Sequence, residues 1–211
     1  MSTEVSGTPT GYARGRATRE EILDAAMRLF GEVGYTSASL REVASRVGIT
    51  HPGLLHHFKS KVALLEAVLQ RRDEIDEAAI RADREAGVDY FEALVLLVER
   101  NAQRPAIVEL FTALSAEATS PSHPAHAYFQ ERYARVVGTT AEMLEERRRE
   151  GRLRAGVDPL TAARLLTAVM DGLQVQWLLE ADTPGTRVDM AASLRGAYTV
   201  LFVPTDGTTG A

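Results

Sequence analysis

No cysteine occurs among the 211 residues, which excludes disulfides, thiolate nucleophiles and thiolate metal sites and fits a reducing compartment. Aromatic residues are sparse at 6%, with Trp177 the single tryptophan. No apolar run approaches the roughly 20 residues that span a bilayer. The opening MSTEVSGTPT lacks the basic-then-apolar layout of a signal peptide, so the expected location is the cytoplasm. Strand-like alternation is nowhere sustained, and no internal repeat, Gly-rich phosphate loop or Ser-His-Asp set in a motif context is present. His123 and His126 have the spacing of a metal pair, but they lie by a Pro-rich loop without a companion Glu-x-x-His. These absences remove the usual carriers of enzymatic chemistry: no catalytic residue, no metal and no cofactor is expected. What remains is 45% hydrophobic residues, enough to bury a real core, in patterns of helical period throughout.

Charge is divided unevenly. Residues 1–61 hold eight Lys/Arg and six Asp/Glu, a net of +2; with a chain total of −5, the remainder carries −7. A mildly basic head on an acidic body is the asymmetry expected when only the head meets phosphate, although a solvated mixed surface produces it as well.

The stretch Ser39 to Phe58, SLREVASRVGITHPGLLHHF, places two short helical patterns on either side of a tight turn. Ser39 and Glu42 have the spacing of a capping box. Leu40, Val43, Ala44 and Val47 share a face. Gly48 supplies a residue free to turn, and Ile49 is an apolar plug at the crossing. Thr50 caps the second helix, Pro52 lies in its first turn, and Leu54, Leu55 and Phe58 continue at helical spacing. The pattern is that of a DNA-reading helix-turn-helix; an ordinary helical hairpin is the alternative.

Upstream, residues 1–17 are rich in Gly, Ser and Thr and read as a flexible arm ending in Arg14 and Arg16. Thr18 with Glu21 forms a second capping pattern. Ile22, Ala26, Leu29, Phe30 and Val33 then mark a helix that Gly34 ends, with Tyr35 placed to pack back. Taken together, TREEILDAAMRLFGEVGYTSASLREVASRVGITHPGLLHHFKSKVALL, from residue 18 to 65, resembles the N-terminal DNA-binding domain of the TetR family of bacterial regulators. The resemblance implies a homodimer whose recognition helices enter successive major grooves of a pseudo-palindromic operator.

Inside the recognition helix the sequence departs from the family pattern, with Pro52-Gly53 and with Leu55 at a frequently aromatic position. Thr50 and His51 are the candidate groove contacts, and Leu55 is placed to touch a thymine methyl or to pack. The resemblance implies phosphate contacts at His56, which stands where the family often has tyrosine, and at Lys61. The helix start at Ser39 offers backbone N–H groups to another phosphate. Lys59 is a weaker candidate, and His57 is read as structural.

A helix from Ser60 to about Ala86 joins head to body. Its charged middle reads as exposed, with i,i+4 pairs such as Arg72 with Asp76. Further helices are expected over Tyr90–Asn101, Pro105–Leu114, about Ala125–Glu150, Pro159–Glu180 and Asp189–Val203. The fold class is thus all-α: a helix-turn-helix domain over 18–60, a helical ligand-binding and dimerisation domain over 61–203, and a disordered tail over 204–211. Candidate pocket residues are Phe91, Leu94, Val98, Phe111, Leu114, Met143, Met170 and Trp177, with Asn101, Glu117, His126 and Gln174 as polar fixers. The family places its four-helix dimer seam on the last two helices, where Leu165, Leu166, Val169, Leu173 and Trp177 supply area and Ala162, Ala168, Gly172, Gly196 and Ala197 permit close approach. The functional expectation is a dimeric regulator, a repressor released from DNA by a small apolar effector. A helical ligand-binding or interaction module without DNA binding is the alternative.

Overall fold

The computed structural model describes residues 11–204 apart from 184 and 186, and within them the chain is helical from end to end. The helices are α1 (Gly11–Ser37), α2 (Leu40–Val47), α3 (His51–His57), α4 (Lys61–Glu85), α5 (Tyr90–Ala102), α6 (Pro105–Glu117), α7 (His126–Arg149), α8 (Pro159–Leu179) and α9 (Met190–Leu201). One antiparallel bridge, Leu153 with Phe202, ties the α7–α8 turn to the end of α9. Among the described residues no helix is long and apolar enough to cross a membrane.

The element boundaries follow local chemistry. Asp89, Asp158 and Asp189 cap α5, α8 and α9 by accepting the N–H of Phe91, Thr161 and Ala192. Two expectations change at the N-terminus. Residues 11–17 continue α1 rather than forming part of an arm, and Thr18 lies inside that helix instead of capping it. Once the packed part of α1 is formed, each added residue costs one backbone fixation for one hydrogen bond, and the Ala and Arg of this stretch are good helix formers. The rest of the arm, 1–10, and the tail, 205–211, lie outside the described residues.

Three apolar clusters hold the molecule together. The first joins α1 to α4 with the middle and end of α6 and the start of α7: Ile22, Leu29, Phe30, Leu54 and Leu65 share it with Leu110, Leu114 and Phe129. Head and body are therefore built on one core. At Gly31 the approach is so close that a Cβ would lie 3.0 Å from the Leu110 nitrogen, so a glycine is what lets α6 cross α1 here. The second cluster packs α5, α7, α8 and α9 around Val95, Leu144, Leu166 and Leu194. A smaller third one gathers Val108, Leu173, Trp177 and Met190.

The middle of α4 is exposed on one face only, through Glu74, Ile75 and Glu77. Arg72, Asp73 and Asp76 are buried at 5%, 8% and 3% exposure. Arg72 Nη2 meets Asp76 Oδ2 at 3.2 Å, Arg132 of α7 pairs with Asp73, and Arg104 and Arg135 close the group from outside. Mixed charges at helical spacing read the same whether a helix faces water or a ring of complementary side chains. Here the complement comes from residues 28 to 62 positions away in sequence.

Candidate nucleic-acid interface and effector cavity

The turn between α2 and α3 is fixed by backbone geometry. Gly48 adopts φ 74° and ψ 26°, the left-handed conformation; its N–H reaches the Ser45 carbonyl at 3.2 Å and the Ile49 N–H reaches Ala44 at 3.0 Å. Both bonds together close α2 in the Schellman pattern. Ser39 Oγ accepts the Glu42 N–H at 3.1 Å, while the Glu42 carboxylate accepts from Arg46. Arg46 also grips Glu32 of α1 through both guanidinium nitrogens, at 2.9 and 2.7 Å, and the hydrogen bond to Arg46 holds Glu32 below its ordinary pKa. Thr50 Oγ1 accepts the Gly53 N–H at 3.1 Å, starting α3. Val43, Ala44, Leu54 and Phe58 are buried beneath, so α2 and α3 are fastened to α1 by their inner faces.

The outer faces carry the predicted contact residues. Ser39, Thr50 and His56 are exposed, and His51, Leu55 and Lys61 are half-buried; none is sequestered in the core. His57 stands edge-on to His56, with ring centroids 5.8 Å apart. Lys61 is the most structured of the set: its ammonium lies 4.3 Å from the centre of the Tyr35 ring and donates to the Thr36 carbonyl at 3.2 Å. Thr36 lies three residues before Ser39, which brings Lys61 to the α1–α2 link that Ser39 ends. Burial lowers the Lys61 pKa, opposed by the charge of Glu117. Arg41, exposed on α2 and without an ion pair among the described residues, belongs to the same surface. A cation two residues past the Ser39 cap was the available signal for it.

Gly34 breaks α1 at φ 75° and ψ 168°. The Glu117 carboxylate of α6 fills the space beside it, accepting the Tyr35 N–H at 3.0 Å, with His123 Nε2 at 3.3 Å from the same oxygen. A Cβ on Gly34 would fall 2.0 Å from Glu117 Oε1. Glu117 and His126 are therefore not pocket residues. Glu117 joins body to head, and His126 Nδ1 pairs with the Ala118 carbonyl at 2.7 Å.

In the body, α4 to α8, closed by Met190 and Leu194 of α9, enclose a cavity of about 70 Å³ with an apolar wall that includes Val98, Val108, Phe111, Met170 and Leu173. Of the predicted residues, Val98, Asn101, Phe111, Met170 and Gln174 line it, whereas Phe91, Leu94, Leu114, Met143 and Trp177 do not. Phe91 packs with Tyr198 and Phe202 under the Arg147 guanidinium, and Trp177 is covered by Arg187, 3.3 Å above its ring. Met143 opens onto outer grooves of α7. Leu94 and Leu114 are buried in the packing beside the cavity. The rest of the polar wall, Arg72, Arg132, Tyr133, Thr167 and Asp171, was not anticipated. The wall is thus mixed, as the predicted polar fixers Asn101 and Gln174 implied, but with more ionic groups than expected.

The predicted seam residues fall on two faces. Leu166 and Leu173 are buried inside the protomer, and Val169 and Ala197 pack partly against its clusters. Gly196 is exposed with open space beside it. Leu165, Ala168 and Gly172 of the predicted set lie with Val175 and Leu179 on the uncovered apolar stripe of α8, with Leu165 57%, Val175 43% and Leu179 79% exposed.

Residues 22–68 match the family described as bacterial regulatory proteins, tetR family, and residues 91–195 match the domain described as BetI-type transcriptional repressor, C-terminal. The chain is similar to the HTH-type transcriptional regulator UidR of Escherichia coli K12, 29% identical over 182 residues, 84% of this chain and 89% of that protein. It is also similar to the HTH-type transcriptional repressor Rv1474c of Mycobacterium tuberculosis, 27% identical over 74% of this chain and 80% of that one. A Saccharomonospora viridis protein solved in complex with choline superposes with a TM-score of 0.73 at 26% identity, over 90% of this chain and 100% of that chain.

Proposed function

We propose a mechanism from one premise: the chain belongs to the TetR family of bacterial regulatory proteins and is a helix-turn-helix transcriptional regulator. The working unit is a cytoplasmic homodimer. Its two α3 helices enter successive major grooves of a pseudo-palindromic operator, with half-sites about 34 Å apart or a multiple of that. Thr50, His51 and Leu55 face base edges, and Ser39, His56 and Lys61 face phosphates, with Arg41 added. Because α3 spans seven residues and includes Pro52 and Gly53, few side chains read bases. Affinity then comes largely from phosphate contacts and DNA shape.

A small molecule in the α4–α8 cavity switches the dimer between geometries. The supporting observation is that the cavity and the head share α6: Val108 and Phe111 line the cavity, while Leu110, Leu114 and Glu117 pack on or bond to the head. An effector bulkier than the cavity must part these helices, and α6 carries the displacement to α1. Repression in the free state and release on binding follow if that displacement spoils operator spacing. A coupling of about 1–3 kcal/mol changes operator affinity about 5- to 150-fold.

The test is a gel shift of the purified protein on DNA flanking its own gene at several salt concentrations. A preferred fragment, bound less tightly as salt rises, is expected. Failure to prefer any fragment at low salt rejects the mechanism and favours a ligand-binding helical module without DNA.

A further inference from the structure

Resting on the reading of the α4–α8 cavity as the effector site, we infer that the cavity selects a compact organic cation, whose positive centre is held by the carboxylate of Asp171. The argument is one of charge and desolvation. Five ionic side chains form or directly back the cavity wall: Arg72 and Arg132, and Asp73, Asp76 and Asp171. The two arginines are already matched. Arg72 lies 3.2 Å from Asp76 and 3.5 Å from Asp73, and Arg132 pairs with Asp73. Both guanidinium groups also lie against the Phe111 ring, 4.5 and 5.2 Å from its centre. Arg104 and Arg135 join the same aspartates from the rim, 35% and 49% exposed and so screened by solvent.

Asp171 alone has no cation at ion-pair distance among the described residues. Its one hydrogen bond comes from the Tyr133 hydroxyl, 2.7 Å from Oδ2. Burial holds its carboxyl above the ordinary value, against the opposing pull of Tyr133, Arg132 and Arg72. A half-buried carboxylate facing the cavity with one neutral donor is the group a cationic ligand would compensate. Val98, Val136, Met170 and Leu173 supply the apolar surround. At about 10–15 Å³ per water, the cavity has room for roughly five waters, so a cation somewhat larger, such as choline, fills it and presses its walls apart. An anion would instead compete with Asp73 and Asp76 for the arginines while meeting Asp171 head on.

The experiment is calorimetric titration of the full-length protein, at matched ionic strength, with choline, with its uncharged isostere 3,3-dimethylbutan-1-ol, and with isovalerate. Choline is expected to bind at least 10-fold more tightly than either comparator. Asp171→Asn is expected to lose at least 10-fold in choline affinity while keeping its helical circular dichroism. Equal affinity for choline and the isostere, preference for isovalerate, no choline binding, or an Asp171→Asn protein that binds choline like the parent would overturn the inference. Gel shifts on the same preparations separate the two readings. Operator binding without cation selectivity removes the cation assignment and leaves the regulator; cation binding lost in Asp171→Asn without any operator preference does the reverse.

Discussion

At the scale of single residues, the decisive feature is where a charge finds its partner. Asp171 is the clearest case, because its carboxyl is raised by burial. The native state therefore holds a proton at pH values where the unfolded chain has released it. Stability falls as pH rises from the ordinary carboxylate value to the raised native one, and is flat above. Asp171→Asn removes that penalty while keeping an acceptor for Tyr133. The variant is expected to melt above the parent at neutral pH, with the gap closing as pH falls below about 4; thermal melts across pH 3 to 8 check this, and a parent that melts higher at pH 7 contradicts it. Lys61 is the opposite case, a cation that burial disfavours and that waits against a ring and a carbonyl. Its removal as Lys61→Ala should weaken binding on every DNA sequence alike and flatten the salt slope by about one. Sequence-selective weakening would instead assign it to base reading.

At the scale of elements, much was legible because capping and turn chemistry are local. Ser39, Gly48, Thr50, Pro52 and Ser60 act within a few residues of themselves, and each stands where its chemistry predicts. Apart from the early start of α1, the errors concern what lies opposite. The charged middle of α4 reads as solvated until Arg132 and Arg135 arrive from α7. Phe91 and Trp177 read as pocket aromatics until Arg147 and Arg187 cover them. For the same reason the role of α6 was invisible in sequence. From Phe111 in the cavity wall to Glu117 beside Tyr35 is six residues, about 9 Å of helix, so one rigid element touches both sites. Glu117→Ala removes the acceptor of the Tyr35 N–H without touching the cavity. Effector affinity and free-state operator affinity should change little, whereas the effector-induced loss of operator affinity should shrink by about 1 kcal/mol, roughly 5-fold. Operator titrations with and without saturating effector measure it. Undiminished coupling would place the signal in α4.

At the scale of the whole molecule, the α8 stripe has the spacing of a helix seam: Leu165, Ala168, Gly172, Val175 and Leu179 step by three and four, the a/d rhythm of packed helices. Ala192, Gly196 and Val200 continue an uncovered face on α9, Val200 being 70% exposed. The small residues leave room for close approach and the large ones fill it, as in a bundle contributed by two copies. Two substitutions one helical face apart distinguish seam from core. Leu166→Asp puts a charge inside the protomer, at a site 3% exposed, and should abolish folding. Val175→Asp puts one on the stripe and should leave a helical monomer in light scattering. Since joining two heads raises avidity by about 10²–10⁴ over one, that monomer should lose at least 100-fold in operator affinity with its recognition surface intact. A Val175→Asp protein that remains dimeric would move the seam off α8, and one that is monomeric yet binds a full operator undiminished would show that the two heads act alone.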